Sequence, residues 1–299
     1  MGKITKDTFS SYHPIINFVF FAFVILTTIF VLHPVLLAIS LISGVTYSIY
    51  LYGKKAVKLN LIALLPMMII AAIFNPLFNH AGMTILFYFR DNPITLESIY
   101  YGIAAAIMIG SVIVWFACYN AIMTSDKFVY LFGRIIPVLS LIFSMTMRFI
   151  PKYTHQAKLV AEAQRSIGKS PTSGKLIERL KSGAMIFSVM ITWALENGVE
   201  TADSMKSRGY GLKGRTAYSN YRFDARDRSL CIALVVLMLA ILLAFTFKIL
   251  SVQYFPQFEM NSLGALQIVL YIFHAAVCFL PLVLNIIEDI TWRALKSKI

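Results

Sequence analysis

Two arginines are the residues of this sequence whose types and surroundings most clearly predict a chemical role. Arg165 lies in the segment AEAQRSIG, and Arg208 lies in ADSMKSRGYG. Both have short neighbours and a glycine within three residues, which is typical of the end of a helix. A guanidinium group in such a position can enter a groove on another protein, where its planar, permanently charged fork binds carboxylates through two hydrogen bonds.

Catalytic and metal-binding patterns are weak. Glu196, Glu200 and Asp203 share one face of a predicted helix, a spacing compatible with metal binding, but a solvated face or pairing with Lys and Arg is the favoured interpretation. The segment from Gly168 to Leu176 resembles a phosphate-binding loop, yet it has the wrong glycine spacing and lacks the final Ser or Thr. The five histidines are scattered, and the three cysteines show no paired spacing. We therefore expect no catalytic site, metal or cofactor in this chain.

The composition is that of an integral membrane protein. Hydrophobic residues make up 59% of the 299 residues and charged residues only 14%, whereas ordinary soluble domains have about 45–50% apolar and roughly 25% charged residues. The net charge of +13 could indicate nucleic-acid binding. Cytoplasmic loops of membrane proteins also accumulate positive charge, and this second interpretation is favoured, so no nucleic-acid partner is expected.

Apolar stretches of suitable length predict an all-α, polytopic membrane protein with about six spans. A helix needs about 20 mostly apolar residues to cross the hydrocarbon core. Small residues such as Ser40 and Gly44, and Ala106 and Gly110, predict close helix packing within this unit. The six candidate spans are Pro14–Leu32, Pro34–Tyr52, Asn60–Asn79, Ile99–Met123, Leu230–Leu250 and Ala265–Ile287.

Basic residues predict the topology. Loops with an excess of Lys and Arg stay in the cytoplasm, and 17 of the 27 basic residues lie between Thr124 and Arg228. This segment should therefore leave and re-enter the membrane on the cytoplasmic side, with both termini cytoplasmic and the loops 79–98 and 251–264 outside. The predicted organisation is transmembrane helices 1–4 in residues 1–123, a coupling-helix region in 124–228, and transmembrane helices 5 and 6 with the C-terminal tail in 229–299.

Two apolar stretches inside the basic segment leave an alternative open. Residues 128–150 are interrupted by Arg134, Pro137 and Arg148, and residues 184–198 are short and contain Glu196. We interpret both as helices that lie in or under the inner leaflet. The alternative is a pair of true spans around an external basic loop.

Periodicity within the basic segment predicts two helices that end at the arginines. The first predicted helix is Gln156–Ile167. Its apolar stripe consists of Val160, Ala163 and Ile167, and Arg165 points away from this stripe. Gly168 and Pro171 should end this helix. Ala184–Ser207 should form the second helix, with Arg208 in its final turn and Gly209 as a left-handed cap; periodicity does not fix the direction of Arg208.

The two arginine motifs carry a family resemblance. Gln164–Ser166 (QRS) and Ser207–Gly209 (SRG) resemble the paired X-Arg-X motifs of the transmembrane T component of energy-coupling factor transporters, prokaryotic importers of vitamins and metal ions. The surrounding stretch ETADSMKSRGYGLKGRT is the most specific part, and the order of apolar segments extends the likeness over nearly the whole chain. Ser166 is a departure, because many members have Ala or Gly there.

The resemblance implies a division of labour in a prokaryotic cell membrane. Two cytoplasmic ABC-type ATPases would bind ATP and Mg²⁺, a separate membrane S component would bind the substrate, and the T component would join them without a catalytic residue of its own. The coupling residues implied for this chain are Gln164, Arg165, Ser166, Ser207, Arg208 and Gly209, with the two arginines inserted one into each ATPase.

Two other functions remain as alternatives at this stage. A self-sufficient transporter or channel would use the basic segment as a gate, although the spans contain few ionisable groups, which such proteins normally need. A membrane enzyme acting on lipids would hold phosphate head groups on the basic face and would need Glu196, Glu200 and Asp203 as its reactive groups.

Overall fold

The computed structural model is dominated by helices and describes residues 7–89, 92–133, 137–169, 175–210, 212, 221–260 and 264–296. The chain divides into two compact units: an apolar unit, residues 1–124 and 221–299, and an insertion unit, residues 125–220. In chain order the helices are α1 Pro14–Phe30, α2 Pro34–Tyr52, α3 Lys54–Leu59, α4 Leu65–Phe78, α5 Leu96–Ile122, α6 Ser125–Gly133, α7 Pro137–Ser166, α8 Leu176–Ser207, α9 Ala225–Thr246 and α10 Ala265–Lys296.

The prediction of an all-α, polytopic membrane protein is confirmed, with a qualification on the spans. Among the described residues, α2, α5, α9 and α10 are long and apolar enough to cross a membrane. Helices α1 and α4 coincide with two further predicted spans but have only 17 and 14 residues. The chain leaves α1 at Val31 to reach Pro34, which begins α2, and a π-helical turn, Asn60–Leu64, precedes α4. Neither α7 nor α8 is among the four long apolar helices found in the described ranges.

Two short β-hairpins, which the sequence analysis did not anticipate, lie in the loops predicted to be outside. Strand β1 (Ile85–Phe89) pairs with β2 (Asn92–Thr95), and β3 (Val252–Gln253) pairs with β4 (Glu259–Met260). The two loops meet, because the Met83 N–H donates to the Pro256 carbonyl oxygen at 3.2 Å and the rings of Tyr101 and Tyr254 are 5.5 Å apart. Both hairpins therefore lie at the same end of the apolar unit.

Polar contacts connect helix ends in the part of the apolar unit away from the two hairpins. The His13 N–H, just before α1, donates to Asp227 Oδ1 in the first turn of α9 at 3.2 Å. The hydroxyl of Tyr50, near the end of α2, donates to Asp289 Oδ2 of α10 at 3.1 Å. The start of α1 thus contacts the start of α9, and the end of α2 contacts the last part of α10. The side of the membrane that these helix ends face stays a prediction.

The centre of the apolar unit is the contact between α2 and α5. Trp115 is fully buried, and its indole N–H points at Ser40, with Nε1 3.0 Å from the Ser40 hydroxyl oxygen. A Cβ atom at Gly44 would lie 3.2 Å from the same ring nitrogen. Ser40 and Gly44 therefore allow the large indole ring to lie directly against α2, as the small-residue spacing predicted.

Helices α4 and α5 approach each other even more closely. A Cβ atom at Gly110 would lie 2.6 Å from the Met68 sulfur, and one at Gly102 would lie 2.8 Å from the carbonyl oxygen of Ala72. A flexible Met side chain can move away, but a backbone carbonyl cannot move without shifting its helix. Gly102 thus sets the closest approach of these two helices.

Replacing Gly102 by Ala should therefore destabilise the apolar unit by about 1–3 kcal/mol, the usual cost of overpacking. The matched control is Gly198→Ala in α8, where an added Cβ meets nothing within 4 Å and where Ala should stabilise the helix by about 0.5–1 kcal/mol. Thermal unfolding in detergent, followed by helical circular dichroism, measures both changes. An unchanged unfolding temperature for Gly102→Ala would contradict the close contact.

Candidate functional site

Helix α7 is longer than the sequence analysis anticipated. It begins at Pro137, where the missing N–H costs no hydrogen bond, and it continues through Pro151 to Ser166 over 30 residues. The predicted helix from Gln156 corresponds only to its last 11 residues. Arg165 lies in its last turn, where a cation complements the helix dipole.

Helix α8 also starts earlier than predicted, at Leu176 rather than Ala184. The Lys175 N–H donates to the Glu178 carboxylate at 3.2 Å, so the third residue of the helix satisfies the group just before it. The helix then runs 32 residues to Ser207, and Arg208 follows as its C-cap residue. Both predicted arginine motifs thus lie at the C-terminal ends of long helices.

The same hydrogen-bond pattern closes both helices. Gly168 and Gly209 have positive φ angles of 79° and 73°. The Lys169 N–H bonds to the Gln164 carbonyl, and the Tyr210 N–H bonds to the Met205 carbonyl, each at 3.0 Å. This is the Schellman arrangement, in which a glycine in left-handed conformation turns the chain away from the helix axis. The predicted caps at both glycines are confirmed.

The two arginines do not occupy equivalent positions in these caps. Arg165 is three residues before Gly168, whereas Arg208 immediately precedes Gly209. The residue of the second cap that corresponds to Arg165 is Lys206, whose carbonyl likewise accepts the glycine N–H at 3.0 Å. The two guanidinium groups therefore leave their helices at different angles, since each residue advances about 100° around the axis.

The side chains around the arginines keep the surface open. Arg165, Ser166, Ser207 and Arg208 are all exposed. Both serine hydroxyls donate to their own helix backbone, Ser166 to the Glu162 carbonyl at 3.1 Å and Ser207 to the Asp203 carbonyl at 2.9 Å. The hydroxyls are thus folded back onto their own helices, and both arginine side chains remain exposed.

Gln164 and Gly209 differ from the other predicted coupling residues because they are half-buried. The Gln164 Oε1 atom is buried without a hydrogen-bond partner. Gln164 faces inward, so it contributes to the packing of α7, and only Arg165 and Ser166 of the QRS motif face outward.

The packed face of α7 is not the predicted one. Ala163 is exposed and Ile167 is 64% exposed, so the stripe of Val160, Ala163 and Ile167 was wrong at two of its three positions. Helix α7 packs on α8. The half-buried residues of this part of α7 are Tyr153, Gln156, Ala157, Val160, Ala161 and Gln164.

One cluster of side chains joins the two helices. The rings of Tyr153 and Trp193 meet edge to face, with centroids 5.3 Å apart. Lys152 Nζ lies 5.5 Å from the centre of the Trp193 ring and donates to Asn197 Oδ1 at 2.5 Å. Aromatic contact, cation–π attraction and a hydrogen bond thus fix the point at which α7 and α8 touch.

The connection between the helices then excludes a parallel arrangement. Parallel helices touching at Tyr153 and Trp193 would place Ser166 and Leu176 about 45 Å apart at 1.5 Å per residue. The nine intervening residues can bridge at most about 35 Å. Helix α8 therefore folds back along α7 or crosses it, and the ends that carry Arg165 and Arg208 lie roughly 30–40 Å apart.

The alternative chemistry finds no support in the described part of the insertion unit. Glu196, Glu200 and Asp203 are exposed on α8, and no group of three His, Cys, Asp or Glu residues that could hold a metal occurs among the described residues. Most of the segment that resembled a phosphate loop, residues 170–174, lies outside the described ranges, as do Pro171 and Arg134.

A second apolar face on α8 was not recognised in the sequence. Ile177, Leu180, Phe187 and Leu195 are all exposed, although they recur at helical spacing. The face begins in the first turn of α8, at Leu176. The charged residues between Leu176 and Lys181 interrupt its apolar periodicity in the sequence. The insertion unit thus exposes apolar side chains as well as arginines.

The chain is similar in sequence to a known protein family and to several of its relatives. The family model CbiQ, described as "Cobalt transport protein", matches residues 8–218. The energy-coupling factor transporter transmembrane protein EcfT of Bacillus subtilis is 34% identical over 100 residues, which is 33% of this chain and 38% of that protein. EcfT of Lactobacillus helveticus is 33% identical over 108 residues, covering 36% and 39% of the two chains.

The matched segment is thus only about two-fifths of the length of these relatives, whereas the family model extends over most of the chain. The T components of this family are non-catalytic membrane subunits. From the extent of the family match and the agreement with several EcfT proteins, we conclude that this chain belongs to the CbiQ family and is a T component of an energy-coupling factor transporter.

Proposed function

We propose that this chain transmits the motion of two cytoplasmic ATPase subunits to a membrane S component that binds a vitamin or a metal ion. The observation that carries the proposal is the placement of Arg165 and Arg208 at two separate, glycine-capped ends of one packed helix pair. Family membership implies association with ATPase and S components. The number of ATPases, the substrate class and the coupling residues are our inference.

The separation of the arginines favours two docking sites rather than one. Helix ends about 30–40 Å apart are too distant to occupy a single groove, but they match two subunits placed side by side. Each ATPase would receive one arginine. Ser166 would lie beside Arg165, with Gln164 packed behind it, and the small residues Ser207 and Gly209 would flank Arg208. Carboxylates in the grooves would bind the guanidinium forks in a bidentate manner.

The packed pair of α7 and α8 would transmit motion from the ATPase subunits to the S component. When the ATPase subunits approach each other, both ends of the pair must move, because each end is held by a different subunit. The contact of Tyr153 with Trp193 would keep the two helices together, so that they change their angle or shift as a unit. The exposed apolar face of α8 would pass this motion to the S component.

The proposed division of labour leaves the chemistry to the partners. ATP and Mg²⁺ would be bound by the ATPases, and the transported molecule by the S component, so this chain would need neither a cofactor nor a catalytic residue. The basic insertion would face the ATPases, which requires both termini to be cytoplasmic in a prokaryotic cell membrane. No role for nucleic acid follows from this arrangement.

Replacing Arg165 or Arg208 by Ala should weaken ATPase binding by about 2–5 kcal/mol, because each change leaves a desolvated carboxylate on the partner unpaired. Affinity of the detergent-solubilised complex, measured with one labelled ATPase, should fall roughly 30-fold or more for each variant. Arg→Lys variants should recover only part of it, since Lys lacks the planar fork.

The matched controls are Lys158→Ala on α7 and Lys206→Ala on α8, both exposed cations on the same helices. These should leave affinity within a few-fold of the unmodified chain. Equal losses for Lys206→Ala and Arg208→Ala would mean that net positive charge suffices and would contradict the docking role. Substrate uptake by the purified chain alone would contradict the coupling role altogether.

The cap glycines give a second prediction. Gly168→Ala and Gly209→Ala force a side chain into a left-handed backbone conformation, at a cost of about 1–2 kcal/mol. We expect each variant to redirect the adjacent arginine and to lower ATP-driven uptake in vesicles more than it lowers the unfolding temperature. Gly183→Ala, whose added Cβ meets nothing within 4 Å, should transport normally. Full transport by both cap variants would show that the helix ends need not be held in this geometry.

A further inference from the structure

An apolar groove opens on the side of the apolar unit between α2, α4 and α5. Its volume is about 570 Å³, and its walls include Ile49 of α2, Ile69 of α4 and Ile103 of α5. All three of these side chains are more than one-third exposed. The groove therefore opens towards the surroundings of the helices and is not an internal cavity of the core.

One end of the groove is polar. Asn60, the first residue of the π-helical turn, lies in its wall, and the Asn60 Nδ2 atom is buried without a hydrogen-bond partner. A buried amide that donates no hydrogen bond destabilises the fold. π-helical turns are uncommon and frequently occur at functional sites. The unpaired donor thus indicates that an acceptor from outside the chain completes this site.

The same end is also positively charged. Helix α3 contributes Val57 to the wall of the groove, and the exposed Lys54 and Lys58 lie on either side of Val57 in this helix. No acidic residue lies in the first turn of α3. An anion at the mouth of the groove would therefore meet two lysines and one amide donor.

We propose that this groove binds one anionic phospholipid, with an acyl chain along the apolar walls and the phosphate at Lys54 and Lys58. From Val57 to Ala72 the wall extends about 22 Å at 1.5 Å per residue, which suits one extended acyl chain. The Asn60 amide donates to an oxygen of the head group or of the glycerol ester. Basic pockets at the cytoplasmic ends of transmembrane helices bind such head groups.

The chemistry of the groove favours a lipid over the helix of a partner protein. An apolar helix in this position would leave the buried Asn60 amide without an acceptor and would place no negative charge beside the two lysines. An anionic lipid satisfies both the apolar walls and the polar end. The proposal does not rest on the docking role of Arg165 and Arg208, but it agrees with the predicted cytoplasmic position of the α2–α3 turn.

The head-group site is tested by adding lipid to the purified full-length chain in detergent and measuring the bound lipid by native mass spectrometry. Phosphatidylglycerol and phosphatidylcholine with identical acyl chains serve as probes. We expect one phosphatidylglycerol to bind in preference, and Lys54→Gln with Lys58→Gln to lower its affinity roughly 30-fold, about fivefold per lysine. The matched control, Arg293→Gln with Lys296→Gln in the last turn of α10, should bind like the unmodified chain.

A groove-filling variant tests the acyl-chain site. Ile69→Trp should reduce binding of both lipids equally, because it closes the groove without changing charge, and Ile103→Trp provides a second such variant if the first does not fold. Equal binding of both lipids by the unmodified chain would overturn the proposal, as would full phosphatidylglycerol preference in the lysine double variant. Loss of a co-purifying membrane protein from the tryptophan variants, with lipid binding retained, would identify a helix as the occupant and would also overturn it.

Discussion

The contact between α7 and α8 is the constraint on which the proposed functional arrangement depends. Tyr153, Trp193 and Lys152 join the helices at one point, and the nine-residue connection is too short for a parallel pair. Because of this contact and the short connection, the C-terminal ends of the two helices lie far apart. Without them, Arg165 and Arg208 would be two unrelated surface cations; with them, the two arginines lie at separate ends of one packed helix pair.

The apolar unit has a different physical character. Its helices are held by small residues and buried aromatic rings, with Trp115 lying directly against Ser40 and Gly44. Polar contacts such as that of His13 with Asp227 tie the helix ends together. This is the construction of a scaffold. A scaffold of this kind agrees with a T component, which is a non-catalytic membrane subunit.

Local chemistry made much of this structure predictable, and tertiary contacts account for the rest. Pro14, Pro34, Gly168 and Gly209 marked helix ends correctly, because their backbone preferences favour these positions, although Pro151 lies inside α7. The predicted packed face of α7 was wrong. The contact of Tyr153 with Trp193 turns a different face of α7 towards α8, and Ala163 and Ile167 of the predicted apolar stripe stay exposed. The β-hairpins were not predicted, because strands this short give no clear alternation of apolar and polar residues. The start of α8 at Leu176 was not predicted, because charged residues interrupt the apolar pattern of its first turns. The arginine motifs were visible in sequence, but their separation required the fold.

The central claim is that both arginines face the compartment that contains the ATPases. Thiol labelling measures this directly in a chain whose native Cys118, Cys231 and Cys278 have been replaced. Ser166→Cys and Ser207→Cys should react with a membrane-impermeant maleimide in inside-out vesicles but not in intact cells, and Glu259→Cys, at the hairpin end, should show the opposite pattern. Labelling of either serine position from outside intact cells would contradict the account.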